Sequence, residues 1–210
     1  MSKHVMEQQE SSHVLGGQIT LQHEIYGDIL MDCVHILENG NGVYLMHYAL
    51  PRMEFDAAEA AGRGLDFGNN DYSLSNIRQW LNSEDGRGWW KSTHVFDAPP
   101  SYADRPGFLY GFTEGSLALV GWGGPEGFES DTFFLLSEEE VEGGLPYLKT
   151  PEGRKLLRKT DKDGNPVWWW LRSPSPSDPG IARDVGTDGH TYSYDCAFDR
   201  CGAVAAACVI

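Results

Sequence analysis

The most informative part of the sequence is the stretch Val167-Trp168-Trp169-Trp170-Leu171-Arg172-Ser173-Pro174. Successive side chains of a β-strand point to opposite sides, so three consecutive tryptophans place indole rings on both faces of one strand. Such a strand has to be covered on both sides or lie at a seam lined by aromatic rings. We therefore expect a core to form around this strand.

Further short strands are predicted on both sides of this stretch. Apolar runs rich in β-favouring residues predict upstream strands at 19–25, 29–37, 43–50, 115–120 and 132–136, and downstream strands at 181–185, 190–195 and 203–210. Two Asn-Gly pairs within residues 38–42 predict a tight hairpin turn, and Thr187-Asp188-Gly189 predicts another.

A few short helices are predicted between these strands. Leu74, Ile77 and Leu81 fall on one helical stripe with Trp80 beside it, and serines at 73 and 75 can cap the helix. Ser137 followed by Glu140 forms a capping box. We also expect a short helix near 57–61 and a solvated linker helix and turn at 149–163. The predicted fold class is α+β.

Composition and charge limit the possible functions. With 40% apolar residues the chain has enough material for a core, while 16 basic against 31 acidic residues give a net charge of −15. A surface this acidic repels phosphate backbones and anionic lipids. We therefore expect neither nucleic acid nor membrane as a partner. No signal-peptide pattern and no 18-residue apolar run occur, which predicts a soluble protein, cytoplasmic or associated with a phage or other assembly. We expect residues 1–16 to be a flexible tail and 17–210 to form one domain.

Several blocks together resemble one bacterial domain family of unknown function. They are the Asn39-Gly40 hairpin, YSLSNIRQWLN at 72–82, FLLSEEEV at 134–141 and WWLRSP at 169–174. The resemblance covers about residues 17–210 and implies a C-type-lectin-like fold, of the branch shared with formylglycine-generating enzymes. Ala203-Val204-Ala205-Ala206-Ala207 stands where the family's closing block carries GVRPA, so no role of that arginine is carried over.

The segment 173–210 has a restricted composition: it contains no Glu, Lys, Gln, Met or Trp. All the residue types that do occur have codons ending in C or T, and the five missing types have none. Diversity-generating retroelements randomise the adenines of Asn codons, AAC or AAT. The codons that result all end in C or T, so they encode the same set of residue types. Variable proteins diversified in this way use the C-type-lectin-like fold, which implies that 173–210 is a variable binding region.

The residue types of this segment suit an exposed recognition surface. Tyr and Phe supply contact area at low entropic cost, and Ser, Asp and Arg supply adaptable polar contacts. We expect a protein surface as the ligand and recognition without catalysis or a cofactor. The residues expected to meet the ligand are Ser177, Asp178, Arg183, His190, Tyr192, Tyr194, Asp195, Phe198, Asp199 and Arg200.

Three other interpretations stay open at this point. Cys196 and Cys201 lie five residues apart, and the family resemblance implies a copper-dependent oxidase as one alternative. A second alternative is a passive structural module of a larger assembly. A third takes 173–210 simply as a surface hairpin rich in β-favouring residues.

Overall fold

The computed structural model describes residues 13–57, 68–86, 90, 102, 105–121 and 123–210. Within these ranges two antiparallel sheets combine with a few short helices, which confirms the α+β class. The strands are β1 (Gln18–His23), β2 (Gly27–Ile36), β3 (Gly42–Met46), β4 (Trp169–Pro174), β5 (Ile181–Val185), β6 (Thr191–Cys196) and β7 (Ala207–Val209). The α-helices are α1 (Asn76–Leu81), α2 (Glu114–Leu117) and α3 (Pro151–Leu156), with 3₁₀ turns at Tyr72–Leu74, Leu109–Gly111 and Pro146–Lys149 and a π turn at Glu140–Gly144.

The first sheet has the strand order β1-β2-β3-β7 and the second has the order β4-β5-β6. β2 and β3 form the predicted hairpin, in which Gly40 has a φ of +91° and the Leu37 amide donates to the Asn41 carbonyl at 2.8 Å. A positive φ is the conformation that glycine adopts without steric cost, so the Asn-Gly pair suits this turn.

The strand β4 is covered on both faces, as its sequence predicts. Trp169 and Trp170 are fully buried in two different apolar clusters. The Trp169 indole N–H donates to the Leu157 carbonyl at 3.0 Å, and that of Trp170 donates to the Met53 carbonyl at 2.9 Å. Each ring thus buries its apolar area without leaving its donor unsatisfied.

A charged side chain connects β4 to the helical turn that follows residue 136. Arg172 holds Glu140 in a bidentate ion pair with distances of 2.6 and 2.8 Å, and it also donates to the Leu135 carbonyl at 2.6 Å. The predicted capping box is present: the Ser137 amide donates to the Glu140 carboxylate at 2.7 Å, and the Glu140 amide donates to Ser137 Oγ at 3.1 Å. These contacts hold the two sequence blocks together.

The helix α1 begins where the sequence predicts, because Ser75 Oγ accepts from the Arg78 amide at 3.3 Å. Ile77, Trp80 and Leu81 are fully buried. The prediction that Leu74 belongs to the same buried stripe is wrong, since Leu74 lies in the preceding 3₁₀ turn and is 48% exposed. The change of helix type moves its side chain off the α-helical face.

Two other sequence predictions differ from the structure. The segment predicted as a strand at 115–120 contains α2 instead, because Thr113 Oγ1 accepts from the Ser116 amide and caps a helical turn. The strand predicted at 132–136 forms only a single bridge between Phe134 and Ala207. Residues 58–61 of the predicted helix at 57–61, and residues 1–12 of the predicted tail, lie outside the described residues. None of the described helices has the length and apolar character needed to cross a bilayer.

The segment 149–163 contains the predicted helix, α3, but it is not merely a solvated linker. Lys159 is 1% exposed and its ammonium donates to the Met46 carbonyl. Burial lowers the pKa of Lys159 to about 7, while nearby Asp32, also buried, acts in the opposite direction. Burial away from water disfavours the charged form of a lysine, because the ammonium group loses its hydration.

This burial predicts a specific pH dependence of stability. The unfolded chain keeps the Lys159 proton up to its ordinary pKa of 10.5, so the unfolded state binds more protons than the folded state between pH 7 and 10. Relative to Lys159→Met, the wild type should gain on the order of 3 kcal/mol of unfolding free energy as the pH rises across that window. Urea denaturation at each pH measures the difference.

The variant Lys155→Met, at an exposed lysine, serves as the control. The difference in unfolding free energy between the wild type and this variant should stay nearly constant across the same pH range. Parallel pH curves for the wild type and Lys159→Met would show that Lys159 is solvated in the folded protein.

Candidate ligand-binding face

The predicted binding residues lie mainly on and around the hairpin formed by β5 and β6. Its turn is the predicted Thr187-Asp188-Gly189 turn, in which Gly189 has a φ of +81° and the Gly186 amide donates to the His190 carbonyl at 2.8 Å. Among the described strands, β6 pairs only with β5 and is therefore an edge strand. An edge strand leaves one side accessible to a binding partner.

The structure divides the predicted residues into two groups, one on the turn and along β6 and the other in the loops next to the far end of β6. Val185 pairs with Thr191 near the turn, and Ile181 pairs with Cys196 at the other end. Six strand residues span about 17 Å, so a ligand that contacts both the turn and the far end of β6 has to present a large surface. Asp195, which pairs with Ala182, lies at the far end and next to the second group. The first group is His190, Tyr192, Tyr194 and Asp195; the second is Ser177, Asp178, Phe198, Asp199 and Arg200.

Two members of the first group contact Asp188, an aspartate in the turn that is not among the predicted binding residues. Tyr192 donates to Asp188 Oδ2 at 2.7 Å, and His190 Nδ1 lies 3.3 Å from the same oxygen. Hydrogen bonds, first of all the one from Tyr192, lower the pKa of Asp188. The ring of Tyr194 lies 5.2 Å from that of Tyr192, and the Tyr194 side chain is 65% exposed.

Part of the second group lies in the loop between β4 and β5. Ser177 and Asp178 are exposed there. Asn70 supports this loop, because its side-chain amide donates to the backbone carbonyls of Ser175, Asp178 and Ile181 at 3.2, 2.8 and 2.8 Å. The loop is therefore held by a buried side chain from outside the predicted variable region.

The rest of the second group lies in the turn after β6. Phe198 and Arg200 are exposed, whereas Asp199 is half-buried and accepts from the Cys201 amide at 2.7 Å. Arg200 contacts the buried carboxylate of Glu54 at 2.8 Å. The sequence could not indicate that pair, since its members are far apart in the chain.

Arg183 lies apart from both groups. Its guanidinium pairs with Glu138 at 3.2 Å, and both side chains are only partly exposed. The structure therefore assigns to Arg183 a contact that joins β5 to the start of the helical turn.

The end of the predicted variable region is part of the core. Residues 203–209 are all buried, and β7 completes the first sheet. Their Ala, Val and Cys side chains belong alternately to the two apolar clusters. The exposed residues of 173–210 therefore lie in the loops, in β6 and at the end of β4.

A cavity of about 300 Å³ opens beside the hairpin, and one of the residues that line it is not among the predicted binding residues. Asp184 of β5 lines this cavity and is 2% exposed, and its Oδ1 has no hydrogen-bond partner among the described residues. Burial, followed by the charge of Asp195, raises the pKa of Asp184 to about 7. A signal was present in the sequence, because an aspartate inside a β-favouring run is unusual.

Cys196 is half-buried and Cys201 is exposed, and both are free thiols in the structure. Burial and three neighbouring aspartates raise the pKa of Cys196, while a hydrogen bond with Asp199 is the main cause that raises the pKa of Cys201. Negative surroundings disfavour the thiolate. Cys33 and Cys208 are buried free thiols.

The family described as Domain of unknown function (DUF6273) matches residues 45–210, so the chain belongs to that family. No curated protein and no solved structure matches the chain.

The buried carboxylate of Asp184 should lower the free energy of unfolding above neutral pH. Because its folded-state pKa lies above the ordinary value, the folded state holds a proton that the unfolded state loses between pH 4 and 7. Asp184→Asn should therefore raise the unfolding free energy at pH 8 by on the order of 2 kcal/mol, allowing for partial solvation through the cavity mouth. The gain should shrink towards pH 4, as measured by denaturant titration.

Asp188→Asn is the matched contrast, because the lowered pKa of Asp188 makes its charged form stabilising. That variant should lose stability at pH 8 and approach the wild type as the pH falls. A destabilised Asp184→Asn protein at pH 8 would contradict the assignment of a poorly solvated carboxylate.

Proposed function

We propose that this chain is a non-catalytic recognition protein whose C-terminal segment presents a binding face diversified by a retroelement. The face consists of the β4–β5 loop, β6 and the turn after β6, and its expected ligand is a protein surface. The rest of the domain serves as a frame for that face.

One observation carries the proposal: the segment of restricted composition separates into exposed and buried positions of different chemistry. The exposed positions hold polar and aromatic residues together with prolines and one cysteine, and they include Tyr194 and Phe198. The fully buried positions are mostly Ala, Val and Gly, as in residues 202–207. A protein that varies its contact residues while it keeps its fold needs this separation.

The exposed side chains have the physical properties of a recognition surface. Tyr194 and Phe198 are large rings that are accessible to a partner, and rings lose few rotamers on binding. The polar neighbours Asp178 and His190 are also exposed and can form hydrogen bonds. The surface is therefore suited to a polar protein ligand with apolar contact points.

We further propose that the frame is a C-type-lectin-like domain. Two antiparallel sheets, short helices and long irregular connections are compatible with that fold. Contacts between distant blocks support the role of a frame: Arg78 of α1 forms a bidentate pair with Asp131 at 2.8 Å, and Asn82 accepts from the amides of Thr132 and Phe133.

Recognition is favoured over copper-dependent oxidation for a chemical reason. Copper binds a cysteine as the thiolate. Burial, followed by nearby aspartates, raises the pKa of Cys196, and a hydrogen bond with Asp199 is the main cause that raises the pKa of Cys201.

The proposal predicts a specific arrangement of the encoding DNA. Sequencing of the locus and its flanks should reveal an imperfect repeat of the codons for Ser173–Ile210, near a reverse-transcriptase gene. The two copies should differ mainly where the repeat has adenine, and these differences should concentrate at the exposed positions, such as those of Tyr194 and Phe198. Codons for the buried residues 203–209 should differ little.

The absence of such a repeat would contradict diversification. An invariant 173–210 segment among close strain variants would instead favour the passive structural module.

A further inference from the structure

The cavity beside the β5–β6 hairpin combines aromatic rings with carboxylates. Its rings belong to Trp168, Tyr192 and Tyr194, its carboxylates belong to Asp184, Asp188 and Asp195, and the backbone at residues 186–187 completes the wall. None of the described residues that line it is basic. A site of this composition attracts positive charge and provides apolar area for the group that carries the charge.

Asp184 indicates independently that a polar partner belongs in this cavity. Only 2% of the residue is exposed, and its Oδ1 has no hydrogen-bond partner among the described residues. The basic residue next in sequence, Arg183, pairs with Glu138 instead. A buried carboxylate oxygen without a donor costs free energy, and a bound donor would recover that cost.

The geometry favours an organic cation over a metal ion. A divalent metal ion needs several oxygen ligands around one point, and no described group of three carboxylates or other ligands is arranged in that way. An ammonium or guanidinium group needs only one close carboxylate, and its attached carbons can pack on rings such as Trp168 and Tyr194. A volume of about 300 Å³ is at the small end of ligand pockets and suits one side chain.

We propose that this cavity is a subsite for a basic side chain of the protein ligand, with Asp184 as its counter-charge and Trp168, Tyr192 and Tyr194 as its aromatic wall. This inference deepens the proposed recognition function and rests on it. A buried charge pair in such a subsite would supply specificity, because a neutral side chain would leave Asp184 without a donor. The net charge of −15 would also speed the approach of a basic partner.

Direct binding of small probes tests the subsite without knowledge of the ligand. The probes are Nα-acetyl-lysine methylamide and Nα-acetyl-arginine methylamide, with Nα-acetyl-norleucine methylamide as the neutral control. In an NMR titration of the full chain at pH 8, at least one basic probe should shift the indole signal of Trp168, and the neutral probe should not. The signal is assigned with Trp168→Phe.

Equal shifts with the neutral probe would overturn the proposal, as would no shift with either basic probe. A shift caused by calcium chloride at lower concentration than by the basic probes would identify a metal site instead and would also overturn it.

Two pairs of variants test the assigned residues. Asp184→Asn should weaken binding of the basic probe about tenfold, since a charged hydrogen bond is lost. Its matched control, Asp163→Asn, removes one exposed negative charge outside the cavity and should leave the affinity nearly unchanged. If Asp184→Asn did not fold, Tyr194→Leu compared with the similarly exposed Tyr110→Leu would decide the question.

The affinity should also depend on pH through Asp184. The groups that face or adjoin this carboxylate are Asp195, Tyr192 and Tyr194 of β6, Asp188 and His190 of the turn, Trp168 beside β4, and Arg183 of its own strand. The series is therefore run in a His190→Gln background. Affinity should rise between pH 6 and 8 as Asp184 loses its proton, and Asp184→Asn should flatten the profile.

The outcomes separate this inference from the proposed function. Probes that fail to bind while the locus carries the repeat would overturn the subsite alone. Probe binding at a locus without a repeat would leave the subsite intact on a protein that is not diversified.

Discussion

Trp169 and Trp170 point to opposite sides of β4, and each indole donates to a backbone carbonyl of a different neighbouring segment. The strand is thereby fixed between two apolar clusters. The backbone of β4 also contacts the buried segment before β7, since the Trp170 amide donates to the Ala203 carbonyl at 3.2 Å. Because β5 pairs with β4, and β6 with β5, the position of the whole proposed binding face depends on these two tryptophans.

Ion pairs extend this constraint to the other parts of the frame. Arg172 and Glu140 join β4 to the turn after residue 136. Arg78 and Asp131 join α1 to the segment that precedes this turn. These pairs are partly buried and bidentate, which makes them more rigid than ordinary surface pairs. The hairpin formed by β5 and β6 is joined to the frame by the single-contact pair of Arg183 with Glu138, and it carries the poorly solvated Asp184. Stability is thus concentrated in the frame, while the face holds a residue that lowers it, as binding sites often do.

Local chemistry explains what the sequence could predict. The Asn39-Gly40 turn, the Ser137 capping box and the two-sided burial of β4 follow from rules that act within a few residues. Leu74 and Lys159 were misjudged because their environments depend on a change of helix type and on a distant carbonyl. The same reason applies to the face: its residue types were predictable, but Asp184 and the division into two groups arise from the register of β5 with β6.

The central claim is that a fixed frame carries a replaceable face, and a folding-selected library tests it most directly. Exposed positions such as Ser177, His190, Tyr194 and Phe198 would be randomised in one library, and the buried positions 203–209 in a second. Protease resistance of the displayed domain would report folding. The account predicts that most members of the first library fold and that very few members of the second do. Equal loss of folding in both libraries would contradict it.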